Sequence, residues 1–421
     1  MGHLPDAPPA PDATARGTVT VTVLDPSGSG APAVGANVVF LDPDGTLVKR
    51  AATDTAGKAE ADVLPGGSVT SVTLQSTAYQ IQTVLAVEPG DDLILGVKNA
   101  DGTSAGTFTV TFPPYTVVTP SSYTVAGSCG TASSSAPAGA APPTSVVMTV
   151  SNSCKLDTME IVVQANDANG NVLAVLDKTG VGFVANGGVT LAGTYQAARS
   201  FTGSYTNVNA NIVNLEMTRS VPDGFGLAVS PTAAAPPTVT QVMTLTGATG
   251  SSALVDTQVT STTQARQVVR QTISGSAATY GLDLSATLLP WLGTPTFDAA
   301  SGKVLVPTDA TGTTMAAPDF VRLTASYRRT DPTTQAVTTF SWTMFSPVAA
   351  DFVLPILPPE VGSVMPTASD AVTIIAFSLE SDAVPSYDAI RHDLNTAFLQ
   401  YTNSRPPGTT LRAAISPINQ R

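Results

Sequence analysis

Residues 51–68 read AATDTAGKAEADVLPGGS. Asp54, Glu60 and Asp62 stand close together here, so the stretch is either an acidic site or the punctuation of a β-sheet. Local chemistry favours the sheet. Asp54 to Gly57 has the composition of a turn, in which an aspartate hydrogen-bonds its own backbone and a glycine accepts positive φ. KAEADV, 58–63, then alternates as a short strand with Glu60 and Asp62 two apart on one face. Pro65, Gly66 and Gly67 end it, with Gly57 and Gly66 as the turn formers.

The same alternation of strand and turn extends to either side. TVTVTVL, 18–24, puts Val19, Val21 and Val23 on one face and threonines on the other, the period of a half-buried strand. DPSGSG turns the chain, GANVVFL makes the next strand and DPDG turns it again, and the pattern continues to DLILGVK at 92–98. Three segments, VGANVVFLDPDG, TDTAGKAEADV and LPGG, follow one another as they do in the transthyretin-like, carboxypeptidase-regulatory-like domains, which residues 17–99 resemble. The resemblance implies a β-sandwich and an accessory or cell-surface module without an active site of its own. It covers under a quarter of the chain.

Composition agrees with an all-β protein throughout. Of 421 residues 43% are hydrophobic, enough for packed cores, and only 12% are charged, about half the usual share. The 34 glycines and 33 prolines suit short strands and tight turns. The fold expected is a tandem of β-sandwich units of immunoglobulin-like or transthyretin-like type, with one short C-terminal helix. Residues 1–16 lack bulky apolar side chains and read as a disordered tether. A second unit is expected over 103–231, with PTAAAPPT at 231–238 as linker, and a third over 239–421. TASSSAPAGAAPPT, 131–144, reads as a flexible surface excursion. Trp291 and Trp342 read as core anchors. SYDAIRHDLNTAFLQYT, 386–402, carries Ile390, Leu394, Phe398 and Tyr401 at helical spacing. The later units resemble, in general character, uncharacterised surface lipoproteins of Gram-negative bacteria.

Several chemistries are weakly supported or absent. The formal charge is −12 and no basic patch is visible, which argues against nucleic acid. No apolar run reaches the ~20 residues of a transmembrane helix. No P-loop, dinucleotide fingerprint, H-E-x-x-H or G-x-S-x-G motif occurs. The two histidines are His3 and His392, and a catalytic system would have to use His392 with Asp388 or Asp393, a spacing equally suited to an exposed ion pair. Glu60, Glu88, Glu160, Glu216, Glu360 and Glu380 are the only glutamates, and nothing pairs two of them. NDANGN, 166–171, places Asp167, Asn169 and Asn171 at alternate positions, as the start of a calcium loop would, but the later bidentate acid is missing and Asn-Gly is a strong hairpin signal. No other cofactor is indicated.

Cys129 and Cys154 flank one loop of about 25 residues. A disulfide there would contribute about 3 kcal/mol and imply an oxidising compartment; two unpaired thiols are the alternative.

The functional expectation is therefore a non-enzymatic secreted or cell-surface protein with a structural or adhesive role; a variant of it is an assembling subunit whose β edges exchange between copies. Its partners would be proteins, glycans or further copies at the cell surface. The alternative is a glycan-binding or accessory module of an exported enzyme system, using exposed aromatics such as Tyr79, Tyr115, Tyr123 or Tyr195. An enzyme with unrecognised carboxylates is a third reading.

Overall fold

The computed structural model describes residues 15–27, 30–96, 104–127, 130–137, 139–151, 158–197, 199–220, 226–233, 238–245, 252–311, 318–347, 351–382, 386–393 and 408–418. The chain is mostly β. The N-terminal strands are β1 (Gly17–Val23), β2 (Asn37–Leu41), β3 (Leu47–Ala52), β4 (Lys58–Val63), β5 (Gly67–Gln75), β6 (Ala78–Val87) and β7 (Asp92–Leu95). They form a sandwich: β4-β1-β7 is one sheet, and β3-β2-β5-β6 belongs to the other. Val19, Val21 and Val23 are fully buried against Val38, Phe40, Val69 and Val84 of the facing sheet, as the alternation of β1 requires.

The stretch at 51–68 is architecture. Asp54 Oδ1 accepts hydrogen bonds from the Ala56 and Lys58 amides at 2.8 Å each. Gly57 has φ +74°, and a Cβ there would lie 2.7 Å from the Val23 carbonyl oxygen. Gly66, at φ +82°, makes the second turn. Lys58, Glu60 and Asp62 of β4 point to solvent while Ala59, Ala61 and Val63 are buried.

The next strands are β8 (Ser104–Thr111), β9 (Ser122–Gly127), β10 (Gly130–Ser135), β11 (Ser145–Ser151), β12 (Thr158–Asn166), β13 (Val172–Gly182), β14 (Gly187–Thr190) and β15 (Gln196–Ala197). They pair only among themselves, in sheets β10-β9-β12-β13-β15 and β11-β8-β14. Phe108, Val110, Tyr123, Met148, Ile161 and Val163 fill the space between. Part of the serine-rich run read as a flexible excursion is thus a strand: β10 pairs antiparallel with β9 from Gly130 to Ser135, because that edge supplies backbone partners that composition does not reveal.

The remaining strands are β16 (Arg199–Thr206), β17 (Ile212–Ser220), β18 (Gly226–Ala233), β19 (Val239–Leu245), β20 (Ser252–Ser261), β21 (Arg266–Ser274), β22 (Thr279–Asp283), β23 (Trp291–Leu292), β24 (Thr296–Asp298), β25 (Lys303–Leu305), β26 (Thr308–Asp309), β27 (Phe320–Thr330), β28 (Val337–Ser346), β29 (Asp351–Val353), β30 (Thr373–Ser381) and β31 (Thr410–Ile415). Twelve strands from both ends of the chain make one sheet, in the order β18-β17-β20-β21-β31-β30-β27-β28-β6-β5-β2-β3. The junction is the parallel pairing of β28 with β6, Thr339–Phe345 against Ala78–Val84. Hydrogen bonding therefore runs across positions 99 and 231–239, where composition alone suggests boundaries. A three-stranded sheet, β19-β16-β22, packs Phe201, Tyr205 and Leu282 over Leu215, Val255 and Val269 of the large sheet.

Both tryptophans are buried. Trp342 sits on β28 and donates its Nε1–H to Thr83 Oγ1 of β6 at 2.9 Å, tying the junction. Two short helices occur among the described residues, α1 (Leu284–Thr287), capped by Asp283, and α2 (Tyr387–Ile390), which continues as a 3₁₀ turn through Asp393. The C-terminal helix expected from the sequence begins where α2 does; Leu394, Phe398 and Tyr401 lie outside the described residues. α2 fastens onto the N-terminal sandwich. The Tyr387 hydroxyl lies 2.9 Å from the Leu85 carbonyl oxygen and 3.1 Å from that of Phe345. Arg391 donates to both oxygens of Asp91, at 2.7 and 3.0 Å, in a pair with side chains 7% and 4% exposed.

Candidate functional site

Strands β30, β27, β28 and β6 lie side by side in the large sheet, and their two faces differ in chemistry. On one face Ile374, Ala376, Leu323, Ala325, Tyr327, Phe340, Trp342 and Ile81 are buried in a single apolar cluster. The other face carries the alternate residues. Toward one end it includes Phe345, Leu379 and Val84, which the β4-β1-β7 layer covers. Toward the other end the side chains are hydroxyl and amide groups and stay partly open.

Register places these polar groups in rows. Thr373, Ser326, Ser341 and Gln80 stand opposite one another across the four strands. Ile375, Thr324, Thr343 and Gln82 form the next row, where the Thr324 and Thr343 hydroxyls are 3.4 Å apart. Arg328, Thr339 and Ala78 form the row on the outer side. Neighbouring strands are ~4.8 Å apart and same-face residues ~6.7 Å apart along a strand, so the groups form a regular lattice. The first and outer rows, Thr373, Ser326, Ser341 and Gln80 with Arg328, Thr339 and Ala78, line a cavity of about 650 Å³, whose lining Tyr79, Tyr327, Phe340 and Ala371 complete. The lining contains no carboxylate, histidine or cysteine. Such a surface can donate and accept hydrogen bonds and offers one fixed positive charge, without a base or nucleophile pair.

Aromatic rings stack along the same strands. Tyr79, Phe340 and Tyr327 stack across β6, β28 and β27 with centroids 5.2 and 4.7 Å apart and planes within 6°. The Arg329 guanidinium lies 4.9 Å from the Phe340 ring centre and pairs with Asp370 at 2.6 Å. Burial pushes Asp370 up, but the hydrogen bonds from Arg329 and Thr367 outweigh it and hold the carboxyl below its usual range.

The four tyrosines expected as exposed platforms are not exposed in that sense. Tyr123 is 1% exposed, and its hydroxyl accepts the Tyr115 amide hydrogen at 2.8 Å. Tyr115 and Tyr195 are half-buried, with ring centres 5.4 Å apart, and burial pushes the Tyr195 phenol up. Tyr79 is half-buried in the stack just described. Tyr79 and Tyr123 stand on strands and pack inward, while Tyr115 and Tyr195, outside the strands, pack against each other and against Tyr123.

Other candidate residues are largely engaged in local structure. Asp167 Oδ1 accepts the Asn169 and Asn171 amides at 2.8 Å each, and Oδ2 accepts from Asn171 Nδ2 at 2.9 Å. Those bonds, led by Asn171, hold its carboxyl low while it closes the β12–β13 hairpin at Gly170, φ +82°. His392 Nε2 lies 3.8 Å from Asp91 Oδ1, whereas Asp388 pairs with Arg391. Cys129 and Cys154 lie outside the described residues. Glu380, Asp382 and Asp319 surround Arg412, which pairs with Glu380 and, at 2.9 Å, with Asp382. Burial pushes Glu380 and Asp319 up; it also acts on Asp382, but Arg412 and Thr410 together outweigh it there and the net shift is downward. Among the described residues no three His, Cys, Asp or Glu side chains gather as a metal site. No helix among them is long and apolar enough to cross a membrane.

The polar groove was not singled out by motif. Its trace in the sequence is the Thr/Ser/Arg side of FVRLTASYRR and the Thr/Ser side of VTTFSWTMF. The pairing of those two segments as neighbouring strands is legible in it, but their meeting with β6 and β30 is not.

No protein-family model matches the chain. No curated protein matches it. Among solved structures, the Bacillus anthracis TIE protein aligns with 64% of this chain at 10% identity and a TM-score of 0.16, and the match spans half of that protein's own chain. Two B repeat units of the collagen binding protein of Staphylococcus aureus align over 87% of this chain and 96% of theirs, at 11% identity and a TM-score of 0.13. The native conformation of Escherichia coli alpha-2-macroglobulin aligns over 86% of this chain and 27% of its own, at 9% identity and a TM-score of 0.14. At such scores no residue role carries over from any of them. The resemblance of residues 17–99 to transthyretin-like domains keeps its coarser content, a β-sandwich, and its family content has no matching model.

Proposed function

We propose that the chain is a non-enzymatic structural or adhesive protein that works outside the cytoplasm, secreted or at a cell surface, and needs no cofactor. The observation that supports this reading most directly is how the acids are used. Asp54 and Asp167 close turns, Asp91 and Asp370 clamp arginines between elements, and Asp283 caps α1. The continuous ladder from β3 to β18 supports the structural reading too, since it joins strands from both ends of the chain in one sheet.

The test is an adhesion assay with a parallel activity screen. Beads coated with the full chain are passed under flow over surfaces bearing proteins or glycans, and the soluble chain is incubated with hydrolase substrates. Retention above that of bare beads, without turnover, is the expected result. Turnover that disappears on replacing one carboxylate would overturn the non-enzymatic reading.

A further inference from the structure

We infer that the groove between β30, β27, β28 and β6 is a binding site for an acidic saccharide, with Arg328 taking the carboxylate and the serine, threonine and glutamine rows taking the sugar hydroxyls. The inference rests on the binding role proposed above and gives it a ligand class.

Charge is the first argument. The chain carries 31 acidic residues against 19 basic ones, so an arginine near carboxylates is readily neutralised. Arg16, Arg270, Arg329, Arg391 and Arg412 are each paired with an aspartate or glutamate. Arg328 is exposed, lines the cavity and has no ion pair among the described residues. Its sequence neighbour Arg329 already holds Asp370, the adjacent carboxylate. The guanidinium is therefore open to a ligand anion, which it can hold with two parallel hydrogen bonds.

The lining is the second argument. Hydroxyl and amide groups donate and accept alike, which is what a polyhydroxylated ligand requires. Ser326, Ser341 and Gln80 lie in one row across three strands, beside Arg328 in the adjoining row. From β30 to β6 the groove spans ~14 Å, three interstrand steps, and its volume of about 650 Å³ is in the range of ligand clefts. Backbone pairing on both sides of β27 and β28, and Trp342 behind them, hold these groups in place before binding, which lowers the ordering cost.

Other occupants fit less well. A protein interface would want an exposed aromatic or apolar anchor, but of the rings that line the cavity Tyr327 and Phe340 are buried and Tyr79 is half-buried. Nucleic acid would want several cations and accessible stacking rings.

The test is an array of oligosaccharides bearing uronate or sialate units beside their methyl esters, probed with the full chain and with Arg328→Met. Calorimetry then follows on the strongest acidic spot. The expected result is saturable binding to acidic spots, weakened at least about tenfold by either esterification or Arg328→Met. Ser341→Ala should weaken acid and ester together. Near-ultraviolet circular dichroism should be unchanged for both variants, since neither side chain belongs to the core. Absence of an acid-over-ester preference, or a preference that survives Arg328→Met, overturns the assignment. Bead retention that survives Arg328→Met would keep the adhesive role and remove this site from it. Acid binding without bead retention would keep the site and remove the adhesive role.

Discussion

Residues 17–95 and residues 104–197 are both two-sheet β structures, yet they sit in the molecule differently. The second closes on itself: β8 to β15 find every strand partner within the stretch, around one core. The first leaves β6 with an open edge, and β28 of the distant C-terminal part pairs with it. α2 then covers the end of that sandwich, with Tyr387 and Ile390 in the same core as Val19 and Phe40. One sandwich pairs its strands only with one another. The other is half of a larger one.

Cutting into the β6–β28 junction should separate the two most strongly. Trp342 is fully buried and bonds to Thr83 across that junction. Trp342→Ala should cost about 3–5 kcal/mol through the lost burial and the cavity left behind. Hydrogen exchange read by mass spectrometry should show protection falling together in β5, β6, β27 and β28. Protection in β8, β9 and β12 should stay at the wild-type level. Equal loss in both groups would mean that the two regions unfold as one, and the contrast would be lost.

The clamp at α2 gives the next largest effect. Asp91→Ala leaves Arg391 buried with Asp388 as its remaining ion-pair partner, and removal of one partner from a buried ion pair costs about 3 kcal/mol. Asp388, whose side chain is 75% exposed, should matter far less. Denaturant midpoints of Asp91→Ala and Asp388→Ala would decide this. Similar midpoints would show that the Asp91–Arg391 contact does not hold the C-terminal element to the sandwich.

These two contacts mark where the sequence stopped being informative. The period-two pattern of TVTVTVL assigned Val19, Val21 and Val23 to the core, and Asp54 with Gly57 assigned the turn, because both depend on neighbours within a few residues. The β6–β28 pairing joins residues more than 250 positions apart, and no local propensity encodes it. The same limit applied to the groove. β27 and β28 are consecutive strands, but each row is completed by β6 from the other end of the chain, so the polar faces were legible while that meeting was not. The tyrosines mislead for a related reason: aromatic side chains advertise contact but do not say whether the contact is with a ligand or the core.

Within the self-contained region a smaller change suffices. Tyr123→Phe keeps the ring of a buried side chain and deletes the hydroxyl that accepts the Tyr115 amide. A loss of about 1 kcal/mol is expected, confined to 104–197. Exchange at β9 and β12 should quicken while β6 and β28 are unaffected, the mirror image of Trp342→Ala. A loss that spreads to β6 would show coupling that the strand pairing does not carry.

The smallest expected effect is a difference in the sign of pH dependence. In the 104–197 region, hydrogen bonds from Asn171 and its neighbours hold Asp167 below the ordinary 3.8. Its contribution to stability is therefore present above that value and is withdrawn as pH falls through the lowered one. Glu380, on the shared sheet, is raised above the ordinary 4.5 by burial, with Arg412 opposing. Its protonated form favours the folded state, so that contribution is present at low pH and is lost as pH rises through the raised value. Wild type should accordingly lose its advantage over Asp167→Asn on acidification below 3.8. Glu380→Gln should gain on wild type as pH rises from 4.5 towards neutrality. Unfolding midpoints across that range test both slopes at once. Two slopes of the same sign would mean that the carboxyl on the shared sheet is no more desolvated than the one closing an exposed hairpin.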